Sequence, residues 1–316
     1  MRVALIGYGS VARAFVSLIA EHHHRFPFRI AGAHTLSHGT AYGESLTFGP
    51  AAASIGEFLD RAQAEVLVEL SSLAPETGEP ALSHIREAFA RGIHVVTANK
   101  GPLAHAFAAL RAEAHARGVE FRFESTVMDG APVFNMVRNC LPGTRIHGFS
   151  GALNSTTKVI LRAIEHGRSF EDGVAEAQSL GIAETDPSYD VDGWDSAVKA
   201  AALANVLMDA RVRPQDVERE GIRSITPHAI RAARDNGQVY VLTSRAETLD
   251  SGSIRMRVRP ERLSLCDPLA TVRGTSNLLL LHTDLMGTVG TIAIEPGVAQ
   301  TAYGVLSDLV DITRTL

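Results

Sequence analysis

Between residues 3 and 124 the sequence alternates short apolar runs with segments of helical periodicity, and this rhythm constrains the fold most. Residues 3–6, 28–33, 65–70, 94–97 and 121–124 read as strands, and 11–20, 55–63, 81–91 and 103–117 as helices. Alternation of this kind calls for a parallel sheet with helices on both faces. The expected class is therefore α/β, with a Rossmann-type doubly wound parallel sheet. After Asp129-Gly130-Ala131-Pro132 the rhythm changes, which puts a domain boundary near residue 130. Helical segments at 156–166, 170–180 and 194–209 then join strand-like runs at 145–153, 240–247, 253–258 and 277–283, a pattern of α+β type, before a helical tail at 302–309.

Composition narrows the function classes. A formal net charge of −5 leaves no basic footprint for nucleic acid and no polybasic membrane patch. The first apolar run stops at Gly7, too short for a signal peptide, and no stretch approaches membrane-spanning length. Cys140 and Cys266 are the only cysteines and lack metal-ligand spacing, so a reducing, cytoplasmic setting is expected.

Gly7-Tyr-Gly-Ser-Val-Ala12 fits G-x-G-x-x-A between a strand and a helix. Gly7 permits the tight turn, and Gly9 lets backbone approach a pyrophosphate. Ser10, Val11 and Ala12 begin the helix whose N-terminus faces the phosphates. An acid at the end of the second strand would bind a free 2′-hydroxyl, but His34 holds that place. Thr35, Ser37 and His38 can donate to a 2′-phosphate, so the expectation is NADP or NAD with a slight lean to NADP. His22, His23 and His24 are consecutive and read as a solvated helix end rather than a metal site.

Residues 177–199 read AQSLGIAETDPSYDVDGWDSAVK, with Glu184, Asp186, Asp190, Asp192 and Asp195 running into an apolar helix that carries Lys199. The spacing of Asp195 and Lys199 puts both on one helical face, where a carboxylate can orient a lysine. A helix-start ion pair and a catalytic pair both fit that spacing. Lys100 follows a strand end, where open α/β sheets place ligands; a surface turn is the alternative. Ser71 and Ser72 follow another strand end, as ribose contacts or helix caps.

The residues Ala177-x-x-x-Gly181-Ile-Ala183-Glu-Thr-Asp186-Pro187-x-x-Asp190-Val-x-Gly193-x-Asp195-x-x-x-Lys199 resemble the signature of homoserine dehydrogenases. Gly78-Glu-Pro-Ala81, Val95-Val-Thr-Ala-Asn-Lys100-Gly-Pro-Leu-Ala104 and Glu124-Ser-Thr-Val-Met-Asp-Gly-Ala-Pro132 agree in order. Leu153-Asn-Ser-Thr-Thr-Lys158 departs from the family's Leu-Asn-Gly-Thr-Thr-Asn at Ser155 and Lys158, and the family's late glycine-rich turn is replaced by residues 295–302. The resemblance implies a dinucleotide-binding domain over 1–130, with a helix at about 300–316 packing back, and a substrate-binding and dimerisation domain over 131–299. It implies interconversion of L-homoserine and L-aspartate 4-semialdehyde in threonine and methionine biosynthesis by a homodimer, without a C-terminal regulatory domain.

By the same resemblance Lys199, Lys100 and Asp195 are catalytic, and Glu184, Asp190, Asp195 and Lys199 bind the amino-acid substrate. Gly7, Gly9, Ser10, Val11, Ala12, His34, Ser71, Ser72, Asn99 and Lys100 hold the cofactor. Glu124 with the carbonyls of Val127, Asp129 and Ala131 matches a monovalent cation site such as one for sodium, or serves structurally between the lobes. Ser155 and Lys158 keep open a dehydrogenase of another short hydroxy acid or semialdehyde. A catalytically silent nucleotide sensor is a third reading.

Overall fold

A computed structural model describes residues 1–315 and divides the chain into two compact units. The first comprises Met1–Met136 with the stretch from Pro296 onward, and the second Val137–Glu295.

In the first unit β1 (Arg2–Ile6), α1 (Ser10–Glu21), β2 (Arg29–Thr35), β3 (Gly39–Tyr42), α2 (Ile55–Ala62), β4 (Val66–Glu69), α3 (Ala81–Ala90), β5 (His94–Thr97), α4 (Lys100–Arg117) and β6 (Phe121–Arg122) follow in order. The sheet order is β3-β2-β1-β4-β5-β6, parallel except for the β2–β3 hairpin. Because β2 and β4 flank β1, the loops leaving β1 and β4 open a crevice at the carboxyl ends of these strands. Val3, Leu5, Val66, Val68 and Val96 are fully buried beneath Phe15 of α1 and Val305, Leu309 and Ile312 of the final helix, Val298–Thr315.

Two boundaries differ from the sequence reading for identifiable reasons. Helix α4 starts at Lys100 rather than at residue 103, because Asn99 caps Gly101 and Pro102 sits in the first turn, where no N–H is needed. Strand β6 ends at Arg122, and Glu124–Thr126 form a 3₁₀ turn instead.

The second unit contains α5 (Phe134–Cys140, begun in the first), β7 (Ile146–Ala152), α6 (Ser155–Glu165), α7 (Phe170–Ser179), α8 (Ser188–Val191), α9 (Trp194–Leu207), β8 (Glu218–Arg219), α10 (Pro227–Asp235), β9 (Gln238–Thr248), β10 (Ile254–Ser264), α11 (Pro268–Thr271), β11 (Asn277–Thr283) and β12 (Thr288–Ala293). Its sheet runs β12-β11-β7-β9-β10-β8, antiparallel but for the short β8–β10 pair. The strand expected to end at residue 258 continues to Ser264. Pro260 lies on the side of β10 that β8 does not reach, where a missing N–H costs no ladder bond.

Candidate active site

The crevice of the first unit is a cavity of about 570 Å³ whose lining includes Gly7, Gly9, Arg13, His34, Ser37, His38, Ser71, Ser72 and His84. Gly7 adopts φ +90°, and a side chain there would collide with the Leu70 carbonyl. The equivalent direction from Gly9 is open. No side chain caps α1, so its first N–H groups, on Ser10, Val11 and Ala12, are left for an anion. The His34 imidazole bonds the Thr40 hydroxyl at 2.8 Å through Nδ1, and burial, then the nearby His84, hold its pKa below the usual histidine value. Thr40 Oγ1 also accepts the Ala52 N–H, an arrangement that suits a neutral His34 accepting at Nδ1.

The sequence reading missed Glu69. This fully buried carboxylate at the end of β4 accepts the Ser71 N–H at 3.0 Å and the Ser71 hydroxyl on Oε1, with His84 Nδ1 3.4 Å away. Its other oxygen takes the Thr97 hydroxyl at 3.1 Å, and Thr97 Oγ1 in turn accepts the Asn99 N–H. Asn99 donates to the Ser71 carbonyl at 3.2 Å. One carboxylate thus ties together the ends of β4 and β5 and the pocket-lining His84. With its proton committed to Glu69, Ser71 Oγ offers a ligand only lone pairs, so it suits a ribose hydroxyl that donates. A charged residue in an apolar strand is the signal that marks Glu69. Replacing Glu69 by Ala is expected to raise the KM for the cofactor about tenfold, roughly 1.4 kcal/mol, with kcat within about twofold. Glu69→Gln, which keeps an acceptor oxygen, should recover part of the loss; a wild-type cofactor KM in the Ala variant would remove Glu69 from this role.

In the second unit Lys199 Nζ lies 2.9 Å from Asp195 Oδ2 and donates to the Leu153 carbonyl at 2.7 Å. Both side chains are largely buried, on successive turns of α9. Asn154, the cap of α6, donates to Asp190 at 2.6 Å and to Asp195 at 3.0 Å. The Thr156 hydroxyl adds a bond to Asp190 at 2.9 Å. Burial, then the Asp195 charge, raises the Asp190 pKa above its ordinary value near 3.8. These bonds gather Asp190, Asp195 and Lys199 around Asn154, a residue the sequence reading passed over although its type before a helix is a capping signal. The Glu184 carboxylate is exposed and makes no hydrogen bond or ion pair among the described residues. Asp186 accepts the Ser188 N–H as an Asx turn, and Asp192 pairs with Arg223 at 2.5 Å.

Ser155 and Lys158, the departures from the family pattern, are engaged elsewhere. Ser155 donates to the Thr275 carbonyl at 2.9 Å, and Lys158 to the Asn277 side chain at 2.7 Å. Back in the first unit, the buried Glu124 carboxylate accepts the N–H groups of Val133 (2.6 Å), Phe134 (2.9 Å) and Asn135 (2.6 Å), capping α5. No cluster of three or more His, Cys, Asp or Glu with metal-binding spacing occurs among the described residues. None of their helices is long and apolar enough to cross a membrane.

Comparisons with known proteins agree with this fold. The family model for homoserine dehydrogenase matches residues 132–310, and that for the homoserine dehydrogenase NAD-binding domain matches residues 7–124. An NAD(+)-dependent homoserine dehydrogenase of Pseudomonas canavaninivorans is 35% identical over 99% of this chain and 96% of its own. The crystal structure of a putative homoserine dehydrogenase from Archaeoglobus fulgidus superposes with a TM-score of 0.88 at 32% identity, covering 99% of each chain. That of a hyperthermophilic archaeal homoserine dehydrogenase in complex with NADPH gives 0.84 at 28% identity, covering 100% of this chain and 98% of the other. The chain belongs to the homoserine dehydrogenase family, NAD(P)-dependent oxidoreductases that act on the CH–OH group of a small amino-acid substrate.

Proposed function

We propose that the chain interconverts L-homoserine and L-aspartate 4-semialdehyde, with Lys199 handling the proton of the reacting oxygen. The observation that carries this reading is the lysine's placement, its ammonium held between Asp195 and the Leu153 carbonyl. The nicotinamide, when bound, supplies or takes the hydride. In the reducing direction Lys199 donates a proton to the oxygen as its charge develops, and in the oxidising direction it receives one. Asp195 orients the lysine. Lys100 is the second lysine proposed to stabilise that oxygen. Glu184, with no partner of its own, and Asp190 are proposed to receive the substrate ammonium. Ser155 and Lys158 bond to Thr275 and Asn277 within the second unit, which favours homoserine over another hydroxy acid. Consumption of NADPH or NADH with aspartate 4-semialdehyde tests the reading; cofactor binding without turnover on any short semialdehyde would overturn it.

Gly7, Gly9, Ser10, Val11, Ala12, His34, Ser71, Ser72, Asn99 and Lys100 are proposed to hold the cofactor, with a lean to NADP. Support for the lean is that the pocket lining carries Arg13, Ser37 and His38 and no carboxylate, whereas a free ribose 2′-hydroxyl is ordinarily met by an acid. Arg13 folds back over the glycine loop, donating to the Tyr8 carbonyl at 3.1 Å. Arg13→Ala is expected to raise the KM for NADPH about tenfold and that for NADH less than twofold, since a charge-assisted bond to phosphate is lost. Equal changes for the two would remove the lean.

Glu124 and the carbonyls of Val127, Asp129 and Ala131 are proposed to hold a monovalent cation. An all-oxygen donor set of one carboxylate and backbone carbonyls suits a hard ion such as sodium. Exchange of sodium for choline should then lower activity; an unchanged rate would oppose the site. A homodimer is proposed through the β11–β12 hairpin at the edge of the second sheet, which exposes Leu285 and Met286 in its turn and Ile292 and Ile294 at its far end. Its mass in solution would be twice that of one chain. A cytoplasmic place in threonine and methionine biosynthesis completes the proposal; loss of growth without these amino acids on gene deletion would test it.

A further inference from the structure

A second cavity lies wholly within the second unit, between α6, α10, the start of β9 and the α11 loop, with a volume of about 250 Å³. The reacting groups proposed above, Asp190, Asp195 and Lys199, are not in its lining. Its floor is apolar, formed by Leu161, Ile230, Val241 and Val272. Its rim is cationic. Lys158, Arg162, Arg234 and Arg273 line it against the one carboxylate of Glu165, in a chain whose net charge is −5.

The cations are in different situations. Lys158 is bonded to Asn277, and Arg162 lies 3.6 Å from Glu165. Arg234 and Arg273 are exposed, and neither guanidinium makes a hydrogen bond or ion pair among the described residues. They come from different elements, the last turn of α10 and the segment after α11, yet face the same hollow. Several other exposed arginines of the chain are paired, among them Arg91 with Asp60 and Glu87, Arg223 with Asp192 and Arg255 with Glu247. Two unpaired planar donors over an apolar floor match a ligand with a planar or tetrahedral anionic group and an apolar body.

We infer that this cleft is a second ligand site, separate from the nucleotide pocket, for a small organic anion bearing a phosphate ester or two carboxylates. The anionic group sits between Arg234 and Arg273, and the apolar body rests on Leu161, Ile230 and Val241. Because both guanidiniums are exposed, the interaction weakens with salt.

The test is calorimetric titration of phenyl phosphate into the whole protein, with NADPH at saturation so that the nucleotide pocket is filled. The expected result is saturable binding with a Kd below about 1 mM, an affinity of roughly 4 kcal/mol. The Arg234→Glu, Arg273→Glu double variant should weaken it at least about tenfold, by loss of two charge-assisted contacts. Both side chains are exposed and make no hydrogen bond or ion pair among the described residues, so the variant should melt as the wild type does and keep its activity without the probe. Inorganic phosphate, which has no apolar body, should bind more weakly than phenyl phosphate. Absence of saturable binding, or equal affinity in the double variant, would overturn the site. Equal affinity for inorganic phosphate would overturn the role of the floor. A change of oligomeric state in the double variant without a change in probe binding would assign the arginines to a partner copy and overturn the proposal as well.

Discussion

Lys199→Ala should lower kcat for homoserine oxidation by about 10²–10⁴-fold, the range expected for loss of a positioned proton-transfer group. The Kd for NADPH should stay within about twofold, because Lys199 is not part of the lining of the glycine-loop pocket. Truncation also leaves Asp195 beside Asp190 without its cation, so the two carboxylates repel and one of them takes up a proton more readily. Lys199→Arg keeps the charge but cannot release a proton near neutral pH, and it should remain slow. Steady-state kinetics with a separate measurement of cofactor binding checks this. Turnover near the wild-type rate in the Ala variant would take Lys199 out of the mechanism.

The second large effect is on stability. Glu124 is 2% exposed and its carboxylate caps three successive backbone N–H groups at the start of α5. Glu124→Ala leaves three donors without their acceptor and removes a negative charge from a helix N-terminus. Hydrogen bonds to a charged group contribute about 1.5–3 kcal/mol each, and partial access of water offsets some of the loss, so a net cost of about 3–6 kcal/mol is expected. At about 2–4 °C per kcal/mol for a unit of this size, thermal unfolding should move down by roughly 6–24 °C. Glu124→Gln retains one acceptor and should lose about half as much. A shift below about 2 °C in the Ala variant would contradict the capping role. Since the N–H bonds need no ion, the part of the loss on Glu124→Ala that comes from them should persist in choline buffer.

These two sites differ in how far the residues announce them. The alternation of short strands and helices gave the parallel sheet, and Gly7 and Gly9 marked the end of β1, because a tight turn and a close backbone approach tolerate few other residues. The Asp195–Lys199 contact followed from helical spacing alone. Glu69 and Asn154 were not legible in that way. Each acts through partners far along the chain, Thr97 for the first and Asp190 and Asp195 for the second, and no local pattern encodes such contacts. Helix α4 and strand β10 run further than the sequence pattern indicated. Pro102 occupies a first helical turn and Pro260 the unpaired side of a strand, where the missing N–H does no harm. Helix α10 went unread despite Thr226 as a cap and Pro227 behind it, because its mean hydropathy is low.

The acidic segment that leads into α9 is the centre of the account, since it is proposed to recognise the substrate as an amino acid. The most direct test compares the oxidation of L-homoserine with that of 4-hydroxybutyrate, which keeps the hydroxyl and the carboxylate but lacks the ammonium. With Glu184 and Asp190 facing that ammonium, kcat/KM for 4-hydroxybutyrate should be lower by at least about 100-fold, roughly 2.7 kcal/mol of lost charge-assisted contact. Equal efficiency with the two alcohols would contradict the account.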